Sequence, residues 1–365
     1  MSLLAKLHIK SCHLIVVVSL FLISFLLVFF SRYNRLETDN ALIPGAQTLL
    51  LHDDGELRDL IPLLQHSEFE FDVKNYEWAL QVYGYQSFRA GRYEINEPIS
   101  FIDFFFKLSQ GLQDPFNVVI SSGMEQDRLI QRVASRFRFS AQDLSAAMND
   151  STLLSEIMVE APQLIGRMIP NTYEMYWTTS ARQFILRMMQ EFDKAVLIPY
   201  SERAEELGMT IDQITTLASI IEWEVRHVDE KPRVSGLYWN RLNRRMRLQA
   251  DPTVAYAIGV RRRLQYSDYR VAHPYNTYRI NGLPPGPLNN PRLTSIQAAL
   301  YPEDHNYLFM VATPEGYHAF TTNYQDHLRE SRKWTNWLRE QQRIRERMEA
   351  EAKTDANAQQ SAANP

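Results

Sequence analysis

Apolar residues recur at helical spacing between Thr210 and Val225. The residues at the i, i+3, i+4 and i+7 positions are Ile214, Leu217, Ala218 and Ile221, and Val225 follows at i+11. This spacing predicts an amphipathic helix with one apolar stripe that packs against a core. Thr210, followed three residues later by Gln213, has the pattern of a capping box and predicts where the helix begins.

Two glutamates, Glu222 and Glu224, stand near the predicted end of this helix. At ~100° per residue they fall on opposite flanks of the apolar stripe. A carboxylate at such a border lies partly against apolar surface, which can raise its pKa and make it a proton donor near neutral pH. The competing interpretation is a pair of solvated glutamates. The helix alone favours that interpretation, because most glutamates lie on the surface.

The N-terminus carries a long apolar run. Residues Leu14–Phe30 are apolar apart from two serines and contain no charge, which is near the lower length limit for a membrane-spanning helix. A cleaved signal peptide is the competing interpretation, since Lys6 and Lys10 form a basic start, but no small-x-small cleavage site follows. We predict an uncleaved anchor over residues 11–32, with residues 1–10 in the cytoplasm and the larger part of the chain outside it.

The pattern after the anchor predicts an α+β fold. Residues 33–43 form a polar linker, and short alternating runs followed by a short helix predict a small α+β module over 44–112. Helices and a few short strands alternate over 113–345 and predict a mixed α+β domain. Residues 346–365 are polar and low in complexity, which predicts a disordered tail. The predicted core residues of the short helix are Phe101, Phe104, Phe105 and Phe106.

Composition argues against several classes of function. A net charge of −4 gives no general reason to expect nucleic acid, so the arginines of 241–247 and 261–263 are interpreted as facing an anionic polymer or solvent. The single cysteine, Cys12, precedes the apolar run, so the body of the chain holds no intrachain disulfide. None of the nine histidines falls in a metal-binding spacing, and no GxSxG elbow or P-loop is present. No metal and no cofactor are therefore expected.

Glu222 and the polar segment after it are the remaining candidates for chemistry. Carbohydrate cleavage needs a proton donor at the glycosidic oxygen and stabilisation of an oxocarbenium-like transition state. An ordinary glycosidase supplies a second carboxylate. Glu224 does not fit that role, because residues two apart on a helix do not face one another. One carboxylate suffices if the substrate provides its own nucleophile.

Several motifs match a known family in order and spacing. They are FRAGRYEI, GRMIPNTYEMYW, ASIIEWEV, DEKPRVSGLYWNRL, MRLQADPTVAYAIG, YNTYRINGLPPGPLNNP and FTTNYQDH. Over about residues 116–327 the chain resembles the endolytic murein transglycosylase family (YceG-like, MltG). The N-terminal anchor also fits, because that family is held in the inner membrane with its catalytic part on the periplasmic, extracytoplasmic side.

The resemblance implies a LysM-like module over 44–112 and a YceG-like catalytic domain over 113–345. It implies that Glu222 is the catalytic acid/base. Glu222 would protonate the bond between N-acetylmuramic acid (MurNAc) and N-acetylglucosamine (GlcNAc) in nascent peptidoglycan strands, and then take the proton of the muramoyl 6-hydroxyl. The product would carry a 1,6-anhydroMurNAc end, and strand elongation would terminate. The implied partners are peptidoglycan strands and peptidoglycan synthases.

The matching motifs also imply substrate-binding residues. Their side chains suit sugar hydroxyl and acetamido groups: Gln249, Asp251, Tyr275, Asn276 and Thr277. Each has a structural alternative; Asp251, for example, would only cap the helix that begins at Pro252. Many relatives read E-K-E-T where this chain has Trp223 and Val225, and Trp223 is expected to face outward. Two rival functions stay open: a non-catalytic protein that binds the cell wall, and a hydrolase with two carboxylates.

Overall fold

The structure is a computed structural model that describes residues 3–37, 41–42, 48–67 and 69–362. The chain divides into two compact units. The first unit comprises Met1–Val118, Arg136–Arg138 and Glu174–Thr179. The second unit comprises Val119–Ser135, Phe139–Tyr173 and Ser180–Pro365.

A long apolar helix opens the first unit. Helix α1 covers Leu3–Glu37, and its segment His13–Tyr33 has a mean hydropathy of 3.0 and packs against no other part of the chain. At ~1.5 Å per residue this segment is roughly 30 Å long, which matches the hydrocarbon core of a bilayer. Within the described residues it is the one helix that is long and apolar enough to cross a membrane, and a signal sequence would have the same properties. The helix is compatible with the anchor predicted over 11–32.

The rest of the first unit combines short strands with three helices. The strands are β1 (Ala41–Leu42), β2 (Thr48–Leu51), β3 (Gly55–Glu56), β4 (Ser87–Phe88), β5 (Gly91–Glu94) and β6 (Ile99–Ser100). Antiparallel pairing joins β1 to β6, β2 to β5 and β3 to β4. The helices are α2 (Leu60–His66), α3 (Val73–Tyr83) and α4 (Phe101–Ser109). The predicted mixture of helices and short strands is confirmed.

Aromatic rings fill the core of the first unit. Phe101, Phe104 and Phe105 are buried as predicted, and the ring of Tyr76 meets those of Phe101 and Phe105 edge-on at 5.4 and 5.0 Å. The prediction was wrong for Phe106, which is 47% exposed. At ~100° per residue, the face of α4 that carries the other three rings turns position 106 towards solvent.

The second unit is mainly helical. Strands β7 (Phe116–Ile120) and β8 (Asn171–Met175) cross the division between the units. The helices up to the centre of the unit are α5 (Gln126–Ala134), α6 (Ala141–Met148), α7 (Ser151–Glu156), α8 (Ala161–Leu164), α9 (Ala181–Phe192) and α10 (Ile198–Glu206). Those that follow are α11 (Ile211–Glu224), α12 (Lys231–Asn243), α13 (Asp251–Ile258) and α14 (Leu293–Leu300). An antiparallel pair, β9 (Phe309–Ala312) and β10 (His318–Thr321), precedes α15 (Tyr324–Ala362).

Helix α11 lies at the centre of the second unit. The predicted capping box is present, with the Thr210 side chain accepting the backbone N–H of Gln213 at 3.2 Å. The predicted apolar stripe is buried, and so are Thr215 and Ser219 on other faces of the helix. Both hydroxyls donate to carbonyls of their own helix at 2.7 Å, which satisfies them in the core. A helix buried on most of its surface holds the side chains at its end in fixed positions.

The C-terminal helix is longer than the composition predicted. A disordered tail was expected over 346–365, whereas α15 continues to Ala362. Residues 346–362 contain no proline or glycine and are rich in alanine, glutamate and glutamine, all of which favour a helix. Residues 363–365 lie outside the described part of the chain.

Candidate active site

The two glutamates at the end of α11 lie in different surroundings. Glu222 and Glu224 are two positions apart, so their side chains leave the helix about 200° apart. After Glu224 the backbone turns extended at Val225, which ends the helix. The structure can therefore separate two residues that periodicity treats as equivalent.

Glu222 is held in a buried network of hydrogen bonds and charges. Its Oε2 accepts from Ser295 Oγ at 2.6 Å and from Lys231 Nζ at 2.9 Å, and Arg292 Nε lies 3.4 Å from its Oε1. The Glu222 and Lys231 side chains are only 6% and 2% exposed. Burial alone would raise the pKa of Glu222, but these hydrogen bonds and positive charges outweigh it and lower that pKa. Glu222 is therefore ionised, and its contacts link α11 to α12 and α14.

Glu224 has the opposite electrostatic setting. Burial, aided by the negative charge of Asp251 and opposed by Arg241, raises the pKa of Glu224 to about 8. Among the described residues, no group forms a hydrogen bond with its buried Oε2. A carboxyl with this pKa is protonated at neutral pH and can donate its proton to a bound molecule.

Glu224 lines a cavity of about 290 Å³, called here the Glu224 cavity. It is lined by Glu224, Leu237, Tyr238, Arg241, Leu248, Gln249, Asp251, Tyr278, Met310, Val311, Ala312, His318 and Trp334. Gln249 and Asp251 are exposed, so the cavity opens to solvent. The buried hydroxyl of Tyr238, like Glu224 Oε2, has no hydrogen-bond partner among the described residues. Two polar atoms without partners in one cavity indicate a place where a polar ligand binds.

Buried and hydrogen-bonded groups hold the charges of this cavity in place. The Arg241 guanidinium donates to the carbonyls of Leu308 at 2.7 Å and Leu248 at 2.5 Å, so its position is fixed. The Asp251 carboxylate accepts from the hydroxyls of Tyr278 at 2.6 Å and Tyr269 at 3.2 Å. The site thus combines a carboxyl group with a raised pKa, the hydrogen-bonded side chain of Asp251 and a fixed cation.

The predicted substrate-binding residues divide into two groups. Gln249 and Asp251 line the Glu224 cavity, and Asp251 is the first residue of α13, whose cap residue is Ala250. Asn276 and Thr277 are fully buried and point to backbone groups. This burial favours the structural alternative for those two residues.

Hydrogen bonds and ring packing hold the segment 275–277 in place. Asn276 Nδ2 donates to the carbonyls of Val271 at 2.8 Å and Tyr269 at 3.1 Å. Thr277 Oγ1 accepts the backbone N–H of Ala250 at 3.0 Å, next to the two predicted cavity residues. Tyr275 packs its ring 4.6 Å from that of Tyr256 and is not among the residues that line the cavity.

Trp223 does not project freely into solvent. Its indole N–H donates to the carbonyl of Gly123 at 3.0 Å, and its ring is partly buried against the core of the second unit. Gly123 has a φ of +67°, and a Cβ there would lie 3.2 Å from the indole nitrogen. This contact holds the indole against the segment that contains Gly123.

Sequence reasoning missed several residues of the cavity. Arg241 was grouped with solvated arginines, although it follows Leu237 by four positions and so shares the apolar face of α12. Tyr278 directly follows the predicted substrate-binding residues Tyr275, Asn276 and Thr277. Trp334 comes from a helix far along the chain, and no local signal identified it.

Within the described residues, no group of three or more His, Cys, Asp and Glu could hold a metal ion.

Comparisons with known proteins identify the family of the chain. Residues 51–333 match the YceG-like family. The endolytic murein transglycosylase of Bacillus subtilis (strain 168) is 27% identical over 283 residues, which cover 72% of this chain and 79% of that protein. The endolytic murein transglycosylase of Streptococcus pneumoniae serotype 2 (strain D39 / NCTC 7466) is 26% identical over 276 residues, which cover 67% of this chain and 50% of that protein.

A solved structure is also similar. The crystal structure of a YceG-like protein from Listeria monocytogenes has a TM-score of 0.55 and 26% identity to this chain, and covers 80% of this chain and 97% of its own. The two similar sequences and the solved structure each cover at least 67% of this chain. The chain belongs to the YceG-like family.

Proposed function

We propose that this chain is an endolytic murein transglycosylase, a lyase that cleaves the MurNAc–GlcNAc bond within nascent peptidoglycan strands. Two similar proteins carry that name, and the chain spans about half the length of the one from Streptococcus pneumoniae. One observation carries the proposal: Glu224, with its pKa raised to about 8, lines an open cavity beside Gln249 and Asp251. Such a group supplies the general acid that glycosidic cleavage needs.

The proposed reaction uses one carboxyl group twice. Glu224 donates its proton to the glycosidic oxygen as the bond from that oxygen to C1 of MurNAc breaks. The Glu224 carboxylate then takes the proton of the muramoyl 6-hydroxyl, whose oxygen bonds to C1 and closes the 1,6-anhydro ring. No water is consumed, and Glu224 is protonated again at the end. The Asp251 carboxylate supplies negative charge that favours the oxocarbenium-like transition state.

We assign the acid/base role to Glu224 in place of Glu222, the residue that the resemblance implied. Glu222 has a lowered pKa and is ionised near neutral pH, so it has no proton to donate. Both of its oxygens already face Lys231, Ser295 or Arg292. Its proposed role is to position the end of α11, and hence Glu224.

The resemblance extends the proposal beyond the catalytic cavity. We propose that α1 anchors the chain in the inner membrane with the second unit on the extracytoplasmic side. Residues 44–112 are proposed to be a LysM-like module that binds peptidoglycan, supported by the short strand pairs and helices of the first unit. Peptidoglycan synthases are the proposed partners, because strand termination acts on the product that they release.

The test is cleavage of peptidoglycan by the full chain in detergent, with Glu224→Gln and Glu222→Gln compared. Loss of a general acid costs about 10²–10⁴-fold in rate, so Glu224→Gln should release fragments at least about 100-fold more slowly. Glu222→Gln should lose much less activity, because its amide oxygen can still accept from Lys231 and Ser295 and so keep the end of α11 in place. Wild-type activity in Glu224→Gln would overturn the assignment. A wild type that binds sacculi and releases no fragments would identify a non-catalytic binding protein instead.

A hydrolase is the second candidate, and the position of Asp251 favours it. Glu224 and Asp251 place an acid and a carboxylate in one cavity, which is the pair that ordinary glycosidases use. Mass spectrometry of the fragments separates the two mechanisms. A hydrolytic end is about one water heavier than a 1,6-anhydro end, so reducing ends in place of anhydro ends would refute the lyase mechanism.

A further inference from the structure

A second and larger cavity adjoins the Glu224 cavity. It has a volume of about 650 Å³ and is lined by Asp251, Arg263, Leu264, Gln265, Tyr266, Tyr269 and Trp334. We call it the tyrosine groove. Asp251 and Trp334 line both cavities, so the tyrosine groove begins where the Glu224 cavity opens.

Aromatic rings form much of the tyrosine groove. Tyr266 is 91% exposed, which is unusual for so large a ring and leaves both of its faces free to contact a ligand. The ring of Trp334 is held by stacking on Trp337 at 5.0 Å. Tyr269 is fixed by its hydroxyl on Asp251 and by its ring 4.6 Å from that of Tyr278. The groove is thus lined by one exposed ring and two restrained ones.

The groove also has the polar groups and size that a saccharide needs. Arg263 and Gln265 offer hydrogen-bond donors beside the rings, and Asp251 offers acceptor oxygens at the junction with the Glu224 cavity. A volume of 650 Å³ lies within the roughly 300–1,000 Å³ of pockets that hold drug-sized ligands. Flat rings with apolar faces and polar edges match the alternating C–H and hydroxyl surfaces of sugars.

We infer that the tyrosine groove is a saccharide subsite that holds the glycan strand next to the cleaved bond, with Tyr266 as its stacking platform. This inference rests on the proposed function. A strand in the groove and in the Glu224 cavity at once gains binding energy from sugars that do not react. Long strands are then cleaved more efficiently than strands that end inside the Glu224 cavity.

The test compares two substrates of the full chain in detergent: long uncrosslinked glycan strands from sacculi, and a tetrasaccharide of the same repeat. The measured quantity is the ratio of kcat/KM on the long strands to that on the tetrasaccharide. Loss of one aromatic stacking contact should lower this ratio about tenfold in Tyr266→Ala. Tyr266→Phe keeps the ring and should keep the ratio within about twofold of the wild-type value. Tyr176→Ala is the matched control, because Tyr176 is 51% exposed and lines neither cavity.

The outcomes separate this inference from the proposed function. If the wild type cleaves both substrates and Tyr266→Ala has the wild-type ratio, the subsite is wrong while the proposed function stands. If the wild type cleaves neither substrate, the proposed function itself fails. An equal fall of the ratio in Tyr176→Ala would show that the effect is not specific to the groove, and would also overturn the inference. Binding of the long strands to Glu224→Gln, with and without Tyr266→Ala, gives the same comparison without turnover.

Discussion

Removal of one partner of the buried Glu222–Lys231 ion pair should strongly destabilise the second unit. The pair is 2.9 Å apart, and its side chains are 6% and 2% exposed. Lys231→Met leaves the carboxylate of Glu222 buried with Ser295 and the largely exposed Arg292 as its remaining partners. Breaking a buried pair from one side costs about 3–5 kcal/mol in the free energy of unfolding. We expect Lys231→Met to fall in that range, and Glu222→Gln to cost less because its amide can still accept from Lys231 and Ser295.

The double variant Glu222→Gln with Lys231→Met tests whether this cost comes from the pair itself. Removal of both charges should recover at least about 1 kcal/mol relative to the sum of the single variants, because neither charge is then left alone. The assay is urea unfolding of the full chain in detergent, followed by tryptophan fluorescence. Arg187→Met, which breaks an exposed pair with Glu191, is the control and should cost under about 1 kcal/mol. Additive single effects would refute the structural role that we assign to Glu222.

Three further predictions concern Glu224 and the aromatic core. Between pH 4.5 and about 8 the folded state keeps a proton on Glu224 that the unfolded state has lost, so stability falls as pH rises through this window. Relative to Glu224→Gln, the free energy of unfolding of the wild type should fall by up to about 5 kcal/mol between pH 4.5 and about 8, as measured by urea unfolding at both pH values. An equal pH dependence of stability in the two proteins would contradict the raised pKa of Glu224. The cleavage rate should fall above pH 8, and Asp251→Asn, which removes a negative charge, should move this alkaline limb to lower pH, as read from a pH–rate profile. Phe105→Ala should cost about 3–5 kcal/mol in urea unfolding and Phe106→Ala under about 1 kcal/mol, because only the first ring is buried; similar costs would contradict the packing of α4.

Short sequence patterns predicted the features of the fold that depend only on neighbouring residues. The capping box at Thr210 and the apolar positions of α11 follow from neighbours within one or two helical turns, and both are confirmed. The α4 helix was also predicted, but the exposure of Phe106 was not. Three consecutive phenylalanines show no alternation of apolar and polar residues, so the sequence does not indicate which side of the helix is buried. The predicted module boundaries at 43/44 and 112/113 stay predictions.

The choice between the two glutamates depends on residues that are distant in sequence. Ser295, which fixes the charge of Glu222, lies 73 residues further along the chain. Glu224 owes its raised pKa mainly to burial, a property of the assembled core that helical periodicity does not reveal. Among the predicted substrate residues, the motif correctly indicated the region. It did not separate the exposed Gln249 from the buried Asn276, because that difference depends on how the loop folds back on itself.

The most direct test of the central claim is the mass spectrum of fragments released from peptidoglycan by the wild type and by Glu224→Gln. If Glu224 is the acid/base of a lyase, the wild type releases fragments with 1,6-anhydro ends and Glu224→Gln releases them at least about 100-fold more slowly. Anhydro ends released by Glu224→Gln at the wild-type rate would contradict the role of Glu224. Wild-type fragments one water heavier would contradict the lyase mechanism.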